Sequence, residues 1–326
     1  MTWLLTGGAG YIGAHIVRAF GQVGMPLVVL DDLSTGHRRL VPDGVPFVEA
    51  SVRDADAVRA ALTEHDVTGI VHLAAKKAVG ESVERPLYYW RENVGGFETL
   101  LSVATDVGVR DVVLSSSAAV YGTPETAPVM EDVPLTPEST YGETKLACEW
   151  MLRRVGAASG LRWSALRYFN VAGAGAPDLG DTSVTNLVPL VFTALSSGRR
   201  PQVFGDDYST RDGTCVRDYI HVADLADAHV AAAQRLEAGP CGEVYNVGRG
   251  EGVTVKEVLE VARSVTGEDF AYDVAPRRAG DPAACFADVS KIDHELGWTA
   301  GRDLEDMVRT AWQAWNAPVG AGKGER

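Results

Sequence analysis

The chain has 326 residues, which is enough for two domains or one elaborate domain with a buried core. Its hydrophobic (46%) and charged (23%) fractions are those of an ordinary soluble protein, and its net charge of −14 argues against a nucleic-acid partner. The four cysteines lack metal-ligand spacing, and the sequence shows neither a signal-peptide pattern nor a membrane-length apolar run. We expect a cytoplasmic protein with reduced thiols, no metal site and no membrane partner.

The first 32 residues carry a dinucleotide-binding pattern. Strand, glycine loop, helix and strand follow one another, at residues 3–6, Gly7–Gly13, 14–23 and 26–30. The glycines let the backbone turn tightly and approach a pyrophosphate at the helix N-terminus. Asp31, 18 residues after Gly13, follows the second strand. Its carboxylate would bind the adenosine ribose and repel a 2′-phosphate, which favours NAD over NADP.

Strands and helices continue to alternate beyond this pattern. Apolar strands are predicted at 46–50, 69–74, 111–115 and 162–166, with helices at 54–64, 93–107 and 141–158. Asp54 is predicted to cap the first of these helices. Near-continuous apolar strands separated by helices indicate a Rossmann-type, doubly wound parallel α/β sheet. Ligands of such sheets bind outside the carboxyl ends of the strands. We therefore expect the glycine loop, residues 74–77, residues 115–117 and the start of the third helix to surround one crevice.

The alternation loosens after residue 172. Residues 173–186 are predicted to be a loop between an NAD-binding domain, 1–172, and a smaller α/β domain, 173–316, that mainly binds the substrate. Helices are predicted near 187–197, 224–237, 254–266 and 304–315, with a strand at 243–247. The prediction leaves open that some of these later segments pack with the first domain. The tail at 317–326 is rich in glycine and is predicted to be disordered.

Tyr141 and Lys145 lie four residues apart on a predicted helix, and therefore on the same face. There the ammonium is expected to lower the phenol pKa from about 10 towards neutrality. Tyr141 would then act as a general base on an alcohol. Without a cofactor and a substrate beside it, such a pair is a common i, i+4 contact on an exposed helix with no catalytic role.

Seven motifs give the chain a resemblance to the UDP-glucose 4-epimerases, also called UDP-galactose 4-epimerases, of the extended short-chain dehydrogenase/reductase superfamily. The resemblance covers residues 1–316, and its motifs occupy 6–13, 76–82, 115–122, 141–145, 167–170, 213–222 and 276–281. The first and fourth belong to the superfamily at large. The second and sixth, Lys-Lys-Ala-Val-Gly-Glu-Ser and Gly-Thr-Cys-Val-Arg-Asp-Tyr-Ile-His-Val, point to the epimerases.

The resemblance implies NAD⁺ that is reduced and reoxidised within each turnover. Tyr141 would take the proton of the sugar 4-hydroxyl, Ser117 would hydrogen-bond the same oxygen, and Lys145 would bind the nicotinamide ribose. The positive nicotinamide would also lower the Tyr141 pKa. The implied cofactor contacts are Gly7, Gly10, Tyr11, Ile12, Gly13, Asp31, Asp32, Ser51, Val52, Leu73, Ala74, Ala75, Lys77, Asn93, Ser115, Tyr141, Lys145 and Tyr168.

The implied substrate is a UDP-hexose. Arg217 and Arg278 would bind its phosphates as forked donors, which an acidic protein needs for a nucleotide diphosphate. The implied substrate contacts are Ser117, Tyr141, Asn170, Asn186, Leu187, Phe204, Arg217, Tyr219, Arg278, Asp281 and Cys285. The family also implies a homodimer that pairs the helices 93–107 and 141–158.

Two of the positions that depart from the family pattern bear on ligand binding. Family members selective for glucose and galactose have a tyrosine where this chain has Cys285. The smaller side chain predicts room beside the sugar C2 substituent, so UDP-N-acetylglucosamine and UDP-N-acetylgalactosamine are expected to be accepted. Ser51 replaces a family aspartate that contacts the adenine, which leaves the strength of NAD binding open.

Rival functions stay open at this point. A dehydratase needs a carboxylate pair after the serine, where this chain has Ala118 and Ala119. A decarboxylase needs a cation for the sugar carboxylate, and Lys77 is a candidate. Epimerases of pentose or uronic acid nucleotides fit the same motifs. A non-catalytic NAD-binding regulator would be expected to have lost Tyr141 or Lys145.

Overall fold

Parallel strands alternate with helices along the first half of the chain, in a computed structural model that describes residues 1–183, 185–278 and 280–317. The strands β1 to β14 are Thr2–Thr6, Leu27–Asp31, Phe47–Glu49, Val67–His72, Asp111–Ser117, Arg162–Tyr168, Asn170–Ala172, Gln202–Phe204, Val216–Arg217, Tyr219–His221, Gly242–Val247, Val253–Thr254, Asp273–Ala275 and Ala284–Cys285. The helices α1 to α11 are Tyr11–Gln22, Ala55–Glu64, Val79–Glu84, Pro86–Tyr89, Gly96–Val107, Thr140–Ser159, Leu187–Ser196, Val222–Ala238, Val255–Thr266, Ser290–Leu296 and Leu304–Asn316. From residue 318 on, the predicted tail lies outside the described residues.

The main sheet contains seven of the described strands in the order β11-β6-β5-β4-β1-β2-β3, all parallel. Successive residues of a strand point to opposite faces. Leu4 accordingly packs in one core cluster with α2, α5 and α6, while Leu5 packs in the other with α1 and α8. Both faces are covered, which is why these strands read as continuous apolar runs.

The second half of the chain returns to this sheet. Strand β11 pairs with β6 along its full length, from Gly242 opposite Trp163 to Val247 opposite Tyr168. Helix α8 packs beside α1, with Leu225 and Ala233 in the same core cluster as Phe20. Residues 222–247 therefore complete the nucleotide-binding layer, although they follow residue 172 in sequence.

Most of the remaining strands form a smaller layer at one end of the sheet, together with three helices. Pairs of short strands, β7 with β10 and β8 with β13, stand beside the three-stranded group β12-β9-β14. Helices α7, α9 and α11 pack through a separate core in which Phe192 contacts Trp312 and Trp315. None of the described helices is long and apolar enough to cross a membrane.

Local differences from the predicted elements have simple causes. The helix predicted from residue 93 begins as an α-helix at Gly96, because Trp90–Gly95 forms a π-helical turn. Helices α3, α4 and α10 were not predicted, since four to seven residues are too few to show a helical period. The predicted cap of α2 is confirmed, because the Asp54 carboxylate accepts from the Ala57 N–H at 3.1 Å.

Candidate active site

The loop between β1 and α1 is folded as a close backbone turn. Gly7 has a φ of +76°, and a Cβ on it would lie 2.8 Å from the Ala74 nitrogen. A Cβ on Gly13 would collide with the Gly7 carbonyl oxygen. Helix α1 begins at Tyr11 with no side-chain cap and no acidic residue in its first turn. Its N–H groups and positive dipole end therefore suit an anionic ligand.

Asp31 stands at the carboxyl end of β2 and is tied to that loop. Its carboxylate accepts from the backbone N–H of Ala9 and of Leu33, both at 2.9 Å. Burial raises the pKa of this carboxyl. Each carboxylate oxygen can accept a further hydrogen bond, which a ribose hydroxyl can supply. Asp32, the next residue, is exposed and accepts from Ser34.

The other predicted cofactor residues surround the same end of the sheet. Leu73, Ala74 and Ala75 follow β4, while Ser51 and Val52 follow β3. The Ser51 hydroxyl accepts from the Arg53 N–H at 3.2 Å, and Val52 is buried. Two of the predicted cofactor residues have their side-chain polar groups outside this cluster. Tyr11 donates to the Gly173 carbonyl at 2.5 Å, and Lys77 is exposed.

Asn93 acts as a buried brace behind the loop after β4. Its side-chain oxygen accepts from the Lys76 N–H at 2.8 Å, and its amide nitrogen donates to the Lys76 carbonyl at 3.0 Å. The same nitrogen donates to the Thr144 hydroxyl of α6 at 3.1 Å. Asn93 therefore fixes the β4 loop relative to the helix that carries Tyr141.

The structure brings Ser117, Tyr141 and Lys145 together at the end of β5. Ser117 is the last residue of this strand, and Tyr141 and Lys145 lie in the first turns of α6. The start of α6 is capped by Ser139, which accepts from the Gly142 N–H at 3.2 Å. Buried Ser82 accepts from the Tyr141 N–H at 3.1 Å. Ser82 ends the motif 76–82 and is a positioning residue, a role that the motif alone does not indicate.

The pKa of Tyr141 moves in the direction opposite to the one its spacing from Lys145 predicts. Burial raises this pKa to about 12, and the neighbouring Ser117 hydroxyl acts in the lowering direction. Lys145 is directed elsewhere, because its ammonium donates to the Ser115 carbonyl at 2.8 Å and lies 5.9 Å from the Tyr141 ring centre. Helical spacing gives proximity but does not report desolvation, which dominates here.

His229 supports this arrangement from the far half of the sequence. Its Nδ1 is bonded to the Leu225 carbonyl at 2.8 Å and must therefore carry the proton. Its Nε2 then accepts from the Ser115 hydroxyl at 2.7 Å. Burial lowers the His229 pKa to about 4, so the ring stays neutral near pH 7. Ser115 is thus held through its side chain by α8 while its carbonyl receives Lys145.

A buried ion pair lies behind the same strands. Arg167 at the end of β6 donates to both oxygens of Glu149, at 2.9 and 2.6 Å. The Ser116 hydroxyl donates to Glu149 at 2.5 Å. All three side chains are buried, and removing one partner from such a pair leaves an uncompensated charge. Arg167 belongs to the motif 167–170, which by itself does not indicate Glu149 as its partner.

The smaller layer contains a cavity of about 800 Å³, a volume typical of small-molecule sites. It brings together eight of the predicted substrate residues, namely Asn170, Asn186, Leu187, Phe204, Arg217, Tyr219, Arg278 and Asp281. Arg217 pairs with Asp281 at 3.3 Å, and the guanidinium of Arg278 lies 3.8 Å from the centre of the Phe204 ring. With Arg199 and Arg200, these two cations thus line a cavity in a protein of net charge −14.

Asp218 holds the wall of this cavity. Its buried carboxylate accepts from the backbone N–H of Arg249, Gly250 and Ala287, at 2.8, 3.0 and 3.1 Å. Its own carbonyl accepts from the Asn170 amide at 3.1 Å. Two separate chain segments therefore meet at the Asp218 side chain, and a third, at Asn170, meets its backbone carbonyl.

Comparison with known proteins decides the family. Residues 3–248 match the NAD dependent epimerase/dehydratase family. The UDP-glucose 4-epimerase of Azospirillum brasilense is 45% identical over 94% of this chain and 90% of its own length. That of Corynebacterium glutamicum is 44% identical over 96% and 95%. The chain belongs to the NAD dependent epimerase/dehydratase family.

Solved structures of epimerases agree with this membership. UDP-glucose 4-epimerase from Brucella ovis in complex with NAD superposes with a TM-score of 0.91 at 40% identity, over 95% of this chain and 97% of that one. The enzyme from Bifidobacterium longum in complex with NAD⁺ and UDP gives 0.90 at 37%, over 97% and 99%. The predicted family, fold class and NAD cofactor are confirmed.

The residues of this NAD dependent epimerase/dehydratase fit the cofactor. The turn at Gly7 and Gly13 leaves no room for side chains where a pyrophosphate would approach, and α1 offers free N–H groups. Asp31 supplies acceptors for the ribose hydroxyls at the end of β2. Lys145 and Tyr168 stand at the other end of the crevice, where β5 and β6 terminate.

Cys285 lies deeper than the sequence predicts. It is buried among Leu146, Phe169 and Ala287, and it is not among the described residues that line the cavity. Burial raises the pKa of its thiol to about 11. Its strand β14 still pairs with β9, in register with Arg217. A larger side chain at this position would have to displace apolar neighbours or project towards the substrate.

Proposed function

We propose that the protein is a UDP-glucose 4-epimerase, which interconverts UDP-glucose and UDP-galactose by inverting carbon 4 of the hexose. The observation that carries this proposal is the convergence of Ser117, Tyr141 and Lys145 at the carboxyl end of β5, at the same edge of the sheet as the glycine loop. The support for the substrate is the near full-length similarity to UDP-glucose 4-epimerases from several bacteria.

In the proposed mechanism, Tyr141 removes the proton of the 4-hydroxyl and later returns it. Bound NAD⁺ supplies the hydride acceptor for carbon 4 and a positive charge that favours the phenolate form. Ser117 hydrogen-bonds the same oxygen and can relay the proton, accepting it from the 4-hydroxyl while its own hydroxyl proton passes to Tyr141. The 4-keto sugar must turn over within the site before it is reduced on its other face. The Lys145 ammonium, fixed by the Ser115 carbonyl, binds the nicotinamide ribose.

The diphosphate is proposed to bind to Arg217 and Arg278. One Arg217 nitrogen is committed to the carbonyls of Val216 and Pro282, both at 2.8 Å, which fixes the plane of its guanidinium. The other nitrogen makes a long bond of 3.3 Å to Asp281 and can take a phosphate oxygen instead. Arg278 lies on an aromatic face that leaves its edge donors available.

The test of this function is conversion of UDP-galactose to UDP-glucose by the purified protein, with and without added NAD. We expect turnover in the wild type and a loss of about 10²- to 10⁴-fold in Tyr141→Phe, which keeps the ring and removes the base. UDP-glucuronate in the same assay distinguishes a decarboxylase, which would release CO₂. No conversion of UDP-galactose under either condition would refute the assignment.

We further propose that UDP-N-acetylglucosamine and UDP-N-acetylgalactosamine are substrates, because Cys285 is small. We expect Cys285→Tyr to reduce turnover of UDP-N-acetylglucosamine more than about tenfold while sparing UDP-glucose. Cys285→Ala, which leaves the space open, is the matched control and should keep both activities. Equal effects of Cys285→Tyr on both substrates would contradict this substrate range.

A homodimer is proposed from the surface that α3, α4 and α6 share. The apolar side chains of Val83, Leu87, Trp90 and Trp150 are exposed there, with exposed fractions of 83% for Leu87 and 54% for Trp150. Contiguous exposed apolar side chains of this size favour a protein interface. A second copy of the chain would bury them if α5 and α6, the helices predicted at 93–107 and 141–158, pair with their counterparts. The cytoplasmic location stays a prediction.

A further inference from the structure

Tyr121 ends the short helical turn Ala118–Tyr121 that follows Ser117, and its side chain is fully buried. Its hydroxyl donates to the Asn246 side-chain oxygen at 2.6 Å and accepts from the Arg167 guanidinium at 3.0 Å. Asn246 and Arg167 stand opposite each other on β11 and β6. One hydroxyl therefore joins this turn to two neighbouring strands of the main sheet. Burial raises the Tyr121 pKa, so the hydroxyl keeps its proton and remains a donor.

The same turn sets the direction of the Ser117 hydroxyl. Ser117 caps the turn, because its hydroxyl oxygen accepts from the Ala119 N–H at 3.1 Å. That bond occupies one side of the oxygen, and the hydroxyl acts from its other side to lower the Tyr141 pKa. The orientation of Ser117 relative to Tyr141 therefore depends on the position of the Ala119 N–H.

The turn fits closely against the start of α6. A Cβ on Gly142 would lie 2.5 Å from the Ala119 carbonyl oxygen, so the backbone of the turn touches the helix next to Tyr141. Gly122, which follows the turn, has a φ of +62°, and a Cβ there would collide with the Thr136 carbonyl oxygen. In packing this close, a displacement of the turn changes the geometry at Tyr141.

The buried ion pair of Arg167 and Glu149 connects the chain on both sides of Ser117. Glu149 accepts from the hydroxyl of Ser116, the residue before Ser117. Arg167 donates to Tyr121, four residues after Ser117. Glu149 itself lies on α6, the helix that carries the proposed base. The Tyr121 hydroxyl is thus the bond through which this ion pair holds the turn.

We propose that Tyr121 is a positioning residue for the reaction, because its hydroxyl holds the turn whose Ala119 N–H directs the Ser117 hydroxyl at Tyr141. This inference rests on the proposed function, since it takes Tyr141 as the base. The motif 115–122 contains Tyr121 but assigns it no role. Because Tyr121 acts through Ser117, loss of its hydroxyl should slow proton transfer and leave ligand binding unchanged.

The experiment measures turnover of UDP-galactose against pH for the full-length wild type and Tyr121→Phe. We expect the variant to lower kcat about tenfold and to raise the pH at which activity rises by about half a unit. KM and the bound NAD content should stay unchanged. The variant should fold, because Arg167 keeps Glu149 and the Glu131 carbonyl, which accepts at 3.0 Å.

The substitution leaves every charged partner in place. The ionisable groups that face the two tyrosines are Lys145 and Tyr168 beside Tyr141, and Arg167, Glu131 and Glu149 beside Tyr121. A change in the pH profile of Tyr121→Phe therefore reports the position of the Ser117 hydroxyl.

The double variant Ser117→Ala/Tyr121→Phe tests whether Tyr121 acts through Ser117. It should match Ser117→Ala alone in kcat and in pH profile, because the hydroxyl to be positioned is already absent. Tyr245→Phe is the matched control, since it also removes one hydroxyl from a buried tyrosine of the main sheet, where that hydroxyl donates to Glu295 at 2.8 Å. It should lower Tm and leave kcat and the pH profile unchanged.

A Tyr121→Phe enzyme with the wild-type kcat and pH profile would overturn the inference alone. So would a loss in the double variant equal to the product of the two single losses, which is the result expected of a merely structural role. A wild-type protein that does not convert UDP-galactose would overturn both this inference and the proposed function.

Discussion

Ser117 is the one side chain of the protein that lowers the pKa of Tyr141, while burial raises that pKa to about 12 within the described structure. The base must be a phenolate to take a proton, so activity should rise with pH as Tyr141 ionises. Any group that favours the phenolate moves this rise to lower pH. The pH at which activity rises therefore measures how strongly the Ser117 hydroxyl favours the phenolate form of Tyr141.

We predict that Ser117→Ala lowers kcat about 100-fold at pH 7 and shifts the rising limb of its pH profile upward by about one unit. Part of the loss should disappear at high pH, where the phenolate forms unaided. Ser117→Thr keeps a hydroxyl and should stay close to the wild type in limb position. A uniform loss at all pH values would show that Ser117 orients the sugar without tuning Tyr141.

At the scale of elements, the turn from β1 into α1 requires glycine, because a Cβ atom would not fit there. Gly13 lies inside the helix, where glycine is normally unfavourable, and its replacement would force the Gly7 carbonyl away. The displaced carbonyl lies in the loop that has to approach the pyrophosphate. The cost of the substitution should therefore appear in cofactor binding.

We predict that Gly13→Ala weakens NAD binding by more than about tenfold, equivalent to about 1.4 kcal/mol. The measurement is NAD retained per protein after dialysis, together with the Kd of re-added NAD. Gly21→Ala is the control in the same helix, because no atom lies near its added Cβ. Gly21→Ala should keep full NAD content and stabilise α1 slightly. Equal NAD retention in both variants would contradict the role of Gly13.

Elements that are specified by a short-range sequence pattern were predictable. The apolar strands β1 to β6, the glycine loop and the Asp54 cap depend on short-range patterns, and the structure has each of them. The strand that pairs with β11 was not predictable, because the apolar pattern of a strand carries no information about which strand lies next to it in the sheet. The contact of His229 with Ser115 spans 114 residues and leaves no local signal. Burial, which reverses the predicted pKa shift of Tyr141, is likewise a tertiary property.

At the scale of the whole molecule, the exposed apolar side chains beside α6 should determine the oligomeric state. We predict that Leu87→Glu converts a dimer to a monomer in sedimentation velocity at micromolar concentration, because a charge would be buried in the interface. Val274→Glu is the control, since Val274 is an exposed apolar residue on β13 in the other layer. A wild-type monomer, or an unchanged dimer in Leu87→Glu, would contradict the proposed surface.

The pairing of β11 with β6 also bears on how the chain is made. Until Val247 has left the ribosome, β6 remains an open sheet edge, and the apolar face of α1 lacks α8. An open edge of this kind can pair with other chains. The nucleotide-binding layer therefore passes through an aggregation-prone interval during synthesis, and a fragment that stops at residue 172 would never leave it.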